Sequence, residues 1–238
     1  MTTTPVRPEY EALARDLERL AAYFDVTFDE PLRRNLVQLS RTFETIDRHV
    51  DDTAEPAERS ALCATILRAF DDDSAVVPAE VAERITWVRT VLDPRGTTGA
   101  FAGSLRRFFA VSETLRTTRR ASVYVACVLG EARCAAEMTL LVGRELDVPR
   151  FARFFRVLSE VANLVDKLHD IGGDRRRGEI ALDASPWVYV RLLTAFVARG
   201  PVLLWLCPRP LRLITWGVTY LLPVESAYGA RTSSREPP

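Results

Sequence analysis

Apolar residues recur at three- and four-residue intervals through most of this 238-residue chain, and no stretch sustains the alternation of a β-strand. The pattern predicts an all-α protein. Helices are expected over 8–24, 31–52, 56–70, 78–92, 98–116, 119–146 and 148–175, with several more between 186 and 228. Turn and cap chemistry is expected at "DEP" (29–31), "DDDS" (71–74), "DPRGTTG" (93–99), "DVP" (147–149) and "GG" (172–173). No internal repeat and no long low-complexity linker interrupts the series. A chain of this length can bury a substantial core, so one helical domain over 1–238 is expected, with its core at about 30–182.

The segment "SPWVYVRLLTAFVARGPVLLWLCPRPLRLITWGVTYLLP" (185–223) is apolar and rich in aromatics. Arg191, Arg199, Arg209 and Arg212 interrupt it, as do Pro201, Pro208 and Pro210. No charge-free run of the roughly 18 residues needed for a membrane span remains. Two readings stay open for 185–228: helices that cap the core, or helices lying on a membrane surface. The excess of arginine over acid there favours contact with anionic headgroups.

Composition changes this picture little. Apolar residues make up 47% and charged residues 27%, ordinary values for a globular protein. Acidic and basic residues balance at 32 each, which gives no argument for a nucleic-acid partner. Lys167 is the sole lysine, a skew that reflects a GC-rich coding sequence rather than a function. The four cysteines have no zinc-site spacing and read as reduced thiols. The first twenty residues lack the basic and apolar regions of a signal peptide, so a cytoplasmic protein is expected, with membrane association through 185–228 left open.

Candidate chemistry lies in two acidic rows. At about 100° per residue, Asn163, Asp166 and Asp174 fall within about 40° of Asp170 on one helix face. Toward the N-terminus that face carries Ser159, Phe155, Ala152 and Val148. If Gly172 and Gly173 end the helix, Asp174 leaves the line. In "LVQLSRTFETIDRHVDD" (36–52), Asp47 and Asp51 lie one turn apart above Phe43, Ser40 and Leu36, with Asp52 adjacent. Both rows sit at the C-terminal end of a helix, where the macrodipole is negative and each anion costs about 0.3–1 kcal/mol. A single Asp-x-x-x-Asp pair, taken alone, reads as a solvated helix face. Two rows of the same polarity point instead to a cation that offsets the cost.

Magnesium suits such rows, because it favours carboxylate oxygens and typically binds through one or two of them plus substrate phosphates. Lys167, Arg48 and the arginines at 175–177 would meet the remaining phosphate charge. The apolar residues lower on the same faces, Phe43 and Phe155 among them, would line a pocket for a greasy tail. His49 and His169 lie inside the rows but off the acidic line, and read as structural.

These segments resemble those of the class I isoprenoid synthase superfamily, most closely its squalene/phytoene synthase branch. "DKLHDIGGDRRRGEIAL" is similar to the branch's second aspartate motif, with Asp166 where the family often has Asn. "YVACVLGEA" (124–132) resembles its Y-V-A-G-x-V-G helix, with Cys127 in place of the glycine. "DRHVDD" resembles its first aspartate-rich motif. The resemblance covers about residues 30–182. It implies a helical bundle around a central apolar cavity, in which the aspartate motifs bind Mg²⁺ and the diphosphate of a prenyl substrate.

By that resemblance Asp47, Asp51, Asp166, Asp170 and Asp174 would be metal-binding, with Asn163 and Asp52 beside them, and Asp47, Asp51 and Asp170 would be catalytic. Lys167 and Arg175 would hold diphosphate, and Tyr124 would line the pocket. The chain is shorter than typical members and lacks a clear counterpart of the basic motif that holds isopentenyl diphosphate. Cyclisation of one prenyl diphosphate is therefore the first expectation, and condensation of two the second. A non-enzymatic helical protein that binds a membrane surface or a partner is the alternative from another class.

Overall fold

The computed structural model describes residues 8–183 and 185–221, and every regular element among them is helical. The helices are α1 (Pro8–Ala21), α2 (Glu30–Asp51), α3 (Pro56–Arg68), α4 (Ala79–Leu92), α5 (Thr98–Thr117), α6 (Ala121–Val142), α7 (Pro149–Arg176), α8 (Pro186–Leu206) and α9 (Pro210–Leu221). Short 3₁₀ turns follow α1, α4 and α6. The part of the expected C-terminal helices beyond residue 221 lies outside the described residues.

Local chemistry explains the boundaries. The Asp29 carboxylate accepts from the Leu32 N–H at 2.9 Å and caps α2, with Pro31 in its first turn. Proline also opens α3, α7, α8 and α9. The expected break at Gly172–Gly173 is absent, since α7 runs through both glycines to Arg176. A mid-helix glycine costs only about 1 kcal/mol relative to alanine, and the full burial of Ile171 beside the pair, in an apolar cluster, offsets it.

Gly178 is the residue that ends α7. At φ +74° it takes the left-handed conformation open to glycine. The Gly178 N–H bonds the Arg175 carbonyl at 3.0 Å, and the Glu179 N–H bonds the Asp174 carbonyl at 2.9 Å, which together form a Schellman close. All three Asp side chains of the second row therefore stay on one continuous helix.

Sequential helices pack as neighbours, α5 on α6, α6 on α7 and α7 on α8. The core divides into three clusters. One joins α2, α3, α4, α5 and α6 around Ile46, Ile66, Val88, Phe101 and Met138. Another gathers α1, the start of α2, the N-terminal half of α7 and the end of α8 around Leu32, Phe151, Phe154 and Leu206. The third joins α5, α6, α7 and α8 around Tyr124, Val128, Leu164, Ile171 and Leu192. Helix α6 contributes to all three, as expected of a helix that is apolar on nearly every side.

Candidate functional site

A cavity of about 560 Å³ opens between α2, α3, α5 and α6, within the range of small-molecule sites. Phe43, Val50, Leu105, Phe108 and Phe109 supply apolar wall, and Asp47, Ser112 and Arg116 are among its polar lining.

Asp47 belongs both to the cavity lining and to the first acidic row. It is exposed by area, yet protein encloses its inner side. That desolvation, and then the Asp51 carboxylate, raise its pKa from 3.8 to about 6 against the pull of Arg116. Arg116, on α5, forms an ion pair with Asp51. Burial works against its guanidinium, but the Asp51 partner holds its pKa above the usual value.

The second row runs along α7. Asp166 is likewise exposed by area but enclosed on its inner side, so desolvation and then Asp170 push its pKa up. Asp174 is buried, and burial raises its pKa even though Lys167 lies 3.5 Å away and Arg177 bonds it at 2.6 Å. Burial disfavours the Lys167 ammonium, but Asp174, Glu131, Asp166 and Asp170 outweigh that and push its pKa up. One lysine thus sits among four carboxylates.

Glu131 of α6 links the rows, and sequence reasoning missed it. Its carboxylate accepts from Ser112 Oγ at 2.6 Å and also meets Asn163. Asp47 feels the charges of both Glu131 and Lys167, so the α2 row and the α7 row share one electrostatic neighbourhood across α6. Burial raises the Glu131 pKa despite the Ser112 bond. The Asn163 amide donates to the Val128 carbonyl at 2.7 Å and fastens α7 to α6.

Tyr124 projects from α6 into this neighbourhood. Its hydroxyl is buried without a hydrogen-bond partner among the described residues, and burial, then Asp174 and Glu131, raise its pKa. An unpaired buried hydroxyl costs about 1–3 kcal/mol. Tyr124→Phe is therefore expected to melt at the wild-type temperature or a few degrees higher, a change of about 2–4 °C per kcal/mol in a chain of this size. A clear fall in Tm would show that the hydroxyl is satisfied after all.

Other residues singled out in the sequence have partners of their own or face solvent. Arg48 pairs with Glu80 on α4, and His49 Nε2 lies 3.7 Å from the same carboxylate. Arg175 pairs with Asp183 at 2.8 Å. Asp52 is exposed at the C-cap of α2, and His169 is exposed on α7. Phe155 is not a cavity residue, because it stacks on Phe151 at 5.9 Å in the second cluster. Its place on the acidic line is real, but α7 is about 42 Å long at 1.5 Å per residue and its N-terminal half enters a different core.

Among the described residues no group of three or more His, Cys, Asp or Glu is drawn together as a preformed ion cage. The donor set fits an ion that takes one or two carboxylates and completes its shell with water and phosphate, as magnesium does. Carboxyls raised first by burial and then by their neighbours' charge, with Lys167 and Arg116 as the nearby cations, are groups that a bound cation would favour in the ionised form.

Comparison with known proteins adds no relative. No protein-family model, no curated protein and no solved structure matches the chain.

Proposed function

We propose that the protein is a Mg²⁺-dependent class I isoprenoid synthase that ionises one prenyl diphosphate and cyclises the resulting cation. The observation that supports this most is the double position of Asp47, which lines an apolar cavity and also shares an electrostatic neighbourhood with Lys167 and Glu131. In this reading the prenyl tail occupies the cavity beside Phe43, Phe108 and Phe109. The diphosphate lies between the rows, with Asp47 and Asp51 on one side and Asp166, Asp170 and Asp174 on the other. Magnesium, when bound there, supplies Lewis acidity and a template for the leaving group.

The chain's own residues perform the remaining tasks. Lys167 and Arg116 stabilise negative charge as the allylic carbon–oxygen bond breaks and its electron pair departs with pyrophosphate. The apolar walls exclude water from the allylic cation while an internal double bond attacks it. Transfer of a proton to the released pyrophosphate then ends the sequence. Condensation of two prenyl diphosphates is the second reading, and a product with more carbons than one substrate would identify it.

Incubation with C10 to C20 prenyl diphosphates and Mg²⁺, followed by gas chromatography, is expected to yield a terpene hydrocarbon or alcohol. Absence of product with every chain length, together with absence of pyrophosphate release, overturns the proposal. Magnesium with inorganic diphosphate is also expected to raise Tm by mass action.

That rise has a predictable pH dependence. Asp47 holds its proton more tightly folded than unfolded, so the unliganded fold gains stability as pH falls through about 6. The gain is complete below about 3.8, where both states are protonated. The ligand-induced rise should change the opposite way, shrinking below about pH 6 because the metal needs the ionised carboxylate. Melting curves at pH 5 and pH 8, with and without the ligands, check both signs.

A further inference from the structure

Helix α8 has two apolar faces, and among the described residues only one is covered. Val188, Leu192, Leu203 and Leu206 are buried on the side that meets α7. Across an arc of about 120° on the other side lie Leu193, Val197, Val190, Pro201, Trp187 and Trp205. Val197 is 60% exposed and Trp205 74%, which is far from core values. Thr194 is the hydroxyl residue within this arc, and it turns its proton inward to the Val190 carbonyl at 2.7 Å. In α9, Leu211 and Ile214 add further exposed apolar surface.

The charges carried by α8 and α9 themselves have one sign. The sequence holds no Asp or Glu between Asp183 and Glu225, while Arg191, Arg199, Arg209 and Arg212 fall within that span. Arginines also lie over aromatic rings near the face: Arg191 is 5.1 Å from the Trp187 ring and Arg153 is 5.8 Å from that of Trp205. Tryptophan near each end of an apolar arc, with arginine beside it, is the composition of a helix at a membrane–water interface.

Pro186–Leu206 is also long and apolar enough to cross a membrane, but its packing argues against a crossing. Arg199 pairs at 2.8 Å with Glu160, a buried acid of α7 that also pairs with Arg133 of α6. A spanning helix would break this network and place Arg191 and Arg199 in hydrocarbon.

We propose that the open face of α8, extended by α9, docks the protein on an anionic lipid surface, with the helix lying in the plane of the interface. The charge complementarity of an acid-free, arginine-bearing apolar face selects lipid as its occupant. The proposal stands on this surface alone and is independent of the chemistry proposed for the crevice.

Flotation of the full chain with phosphatidylcholine vesicles, with and without phosphatidylglycerol, tests it. Binding to the anionic vesicles is expected, at least about tenfold stronger than to the neutral ones and weakened by salt. Val197→Glu with Leu193→Glu should abolish flotation, and Arg191→Glu with Arg212→Glu should weaken it about tenfold or more. All four positions are exposed, so each double variant should keep the wild-type Tm. Val76→Glu, at an apolar residue exposed on another surface, should float as wild type.

Failure to float with either vesicle overturns the proposal, as does loss of flotation in Val76→Glu. Light scattering without lipid provides the remaining arm. A dimer dissolved by Val197→Glu would assign the face to a second copy of the chain instead of a membrane.

Discussion

Asp170→Ala is expected to lower pyrophosphate release from a prenyl diphosphate by about 10²–10³-fold, roughly 3–4 kcal/mol of transition-state stabilisation. The substitution should leave Tm unchanged or slightly raised. The two outcomes share a cause. Asp170 helps to raise the pKa of Asp166 and of Tyr124, so in the unliganded protein it adds like charge to a partly desolvated crevice. Removing it relieves the apo fold while depriving the bound state of a carboxylate.

Asp47→Asn should behave in the same way, because burial and Asp51 already penalise the Asp47 charge. A variant that is inactive through misfolding would instead lose activity and Tm together. Wild-type pyrophosphate release by Asp170→Ala would remove the α7 row from the chemistry. Retained activity in Asp47→Asn would remove the α2 row.

Helix identity was legible in the sequence because three- and four-residue periodicity reports a buried face directly, and α2 and α7 begin and end within a residue or two of the expected limits. The error at Gly172–Gly173 came from treating glycine as a stop signal. Its effect depends on what its neighbours bury, and the helix close belongs to Gly178, where a positive φ is required. The aspartate rows were legible for the same reason as the helices, since their spacing repeats with the turn.

Glu131 was not legible, because it and Glu137, the two acids of a largely apolar helix, are six residues apart and make no row along one face. Its role depends on which side of α6 meets α7. The far wall of the cavity was hidden likewise, since Cys63, Phe108 and Phe109 lie on α3 and α5, whose patterns indicate burial without indicating an empty space beside it. Phe155 shows the limit of angular reasoning: helical phase fixes which side a residue faces, but not which of three clusters lies there.

Phe151→Ala should have the largest effect on stability, about 3–5 kcal/mol, with Tm lower by about 6–20 °C for a chain of this size. Phe151 is fully buried, with ring centroids 5.3 Å from Phe24, 6.2 Å from Phe154 and 5.9 Å from Phe155. Deleting it removes its dispersion contacts and leaves a void that these neighbours, packed from three sides, can fill only in part. The position also anchors α7 at the end opposite its acidic row, in the cluster that holds α1 and the start of α2.

Phe43→Ala provides the contrast. Phe43 is partly buried and faces a cavity that already exists, so its truncation enlarges an opening without creating a new void. Its cost should fall well below that of Phe151→Ala, while the accommodated prenyl chain should lengthen. Denaturant melts of both variants, alongside product chain length for Phe43→Ala, measure the difference. Equal destabilisation by the two would mean that the cavity closes in solution, and the substrate pocket proposed here would close with it.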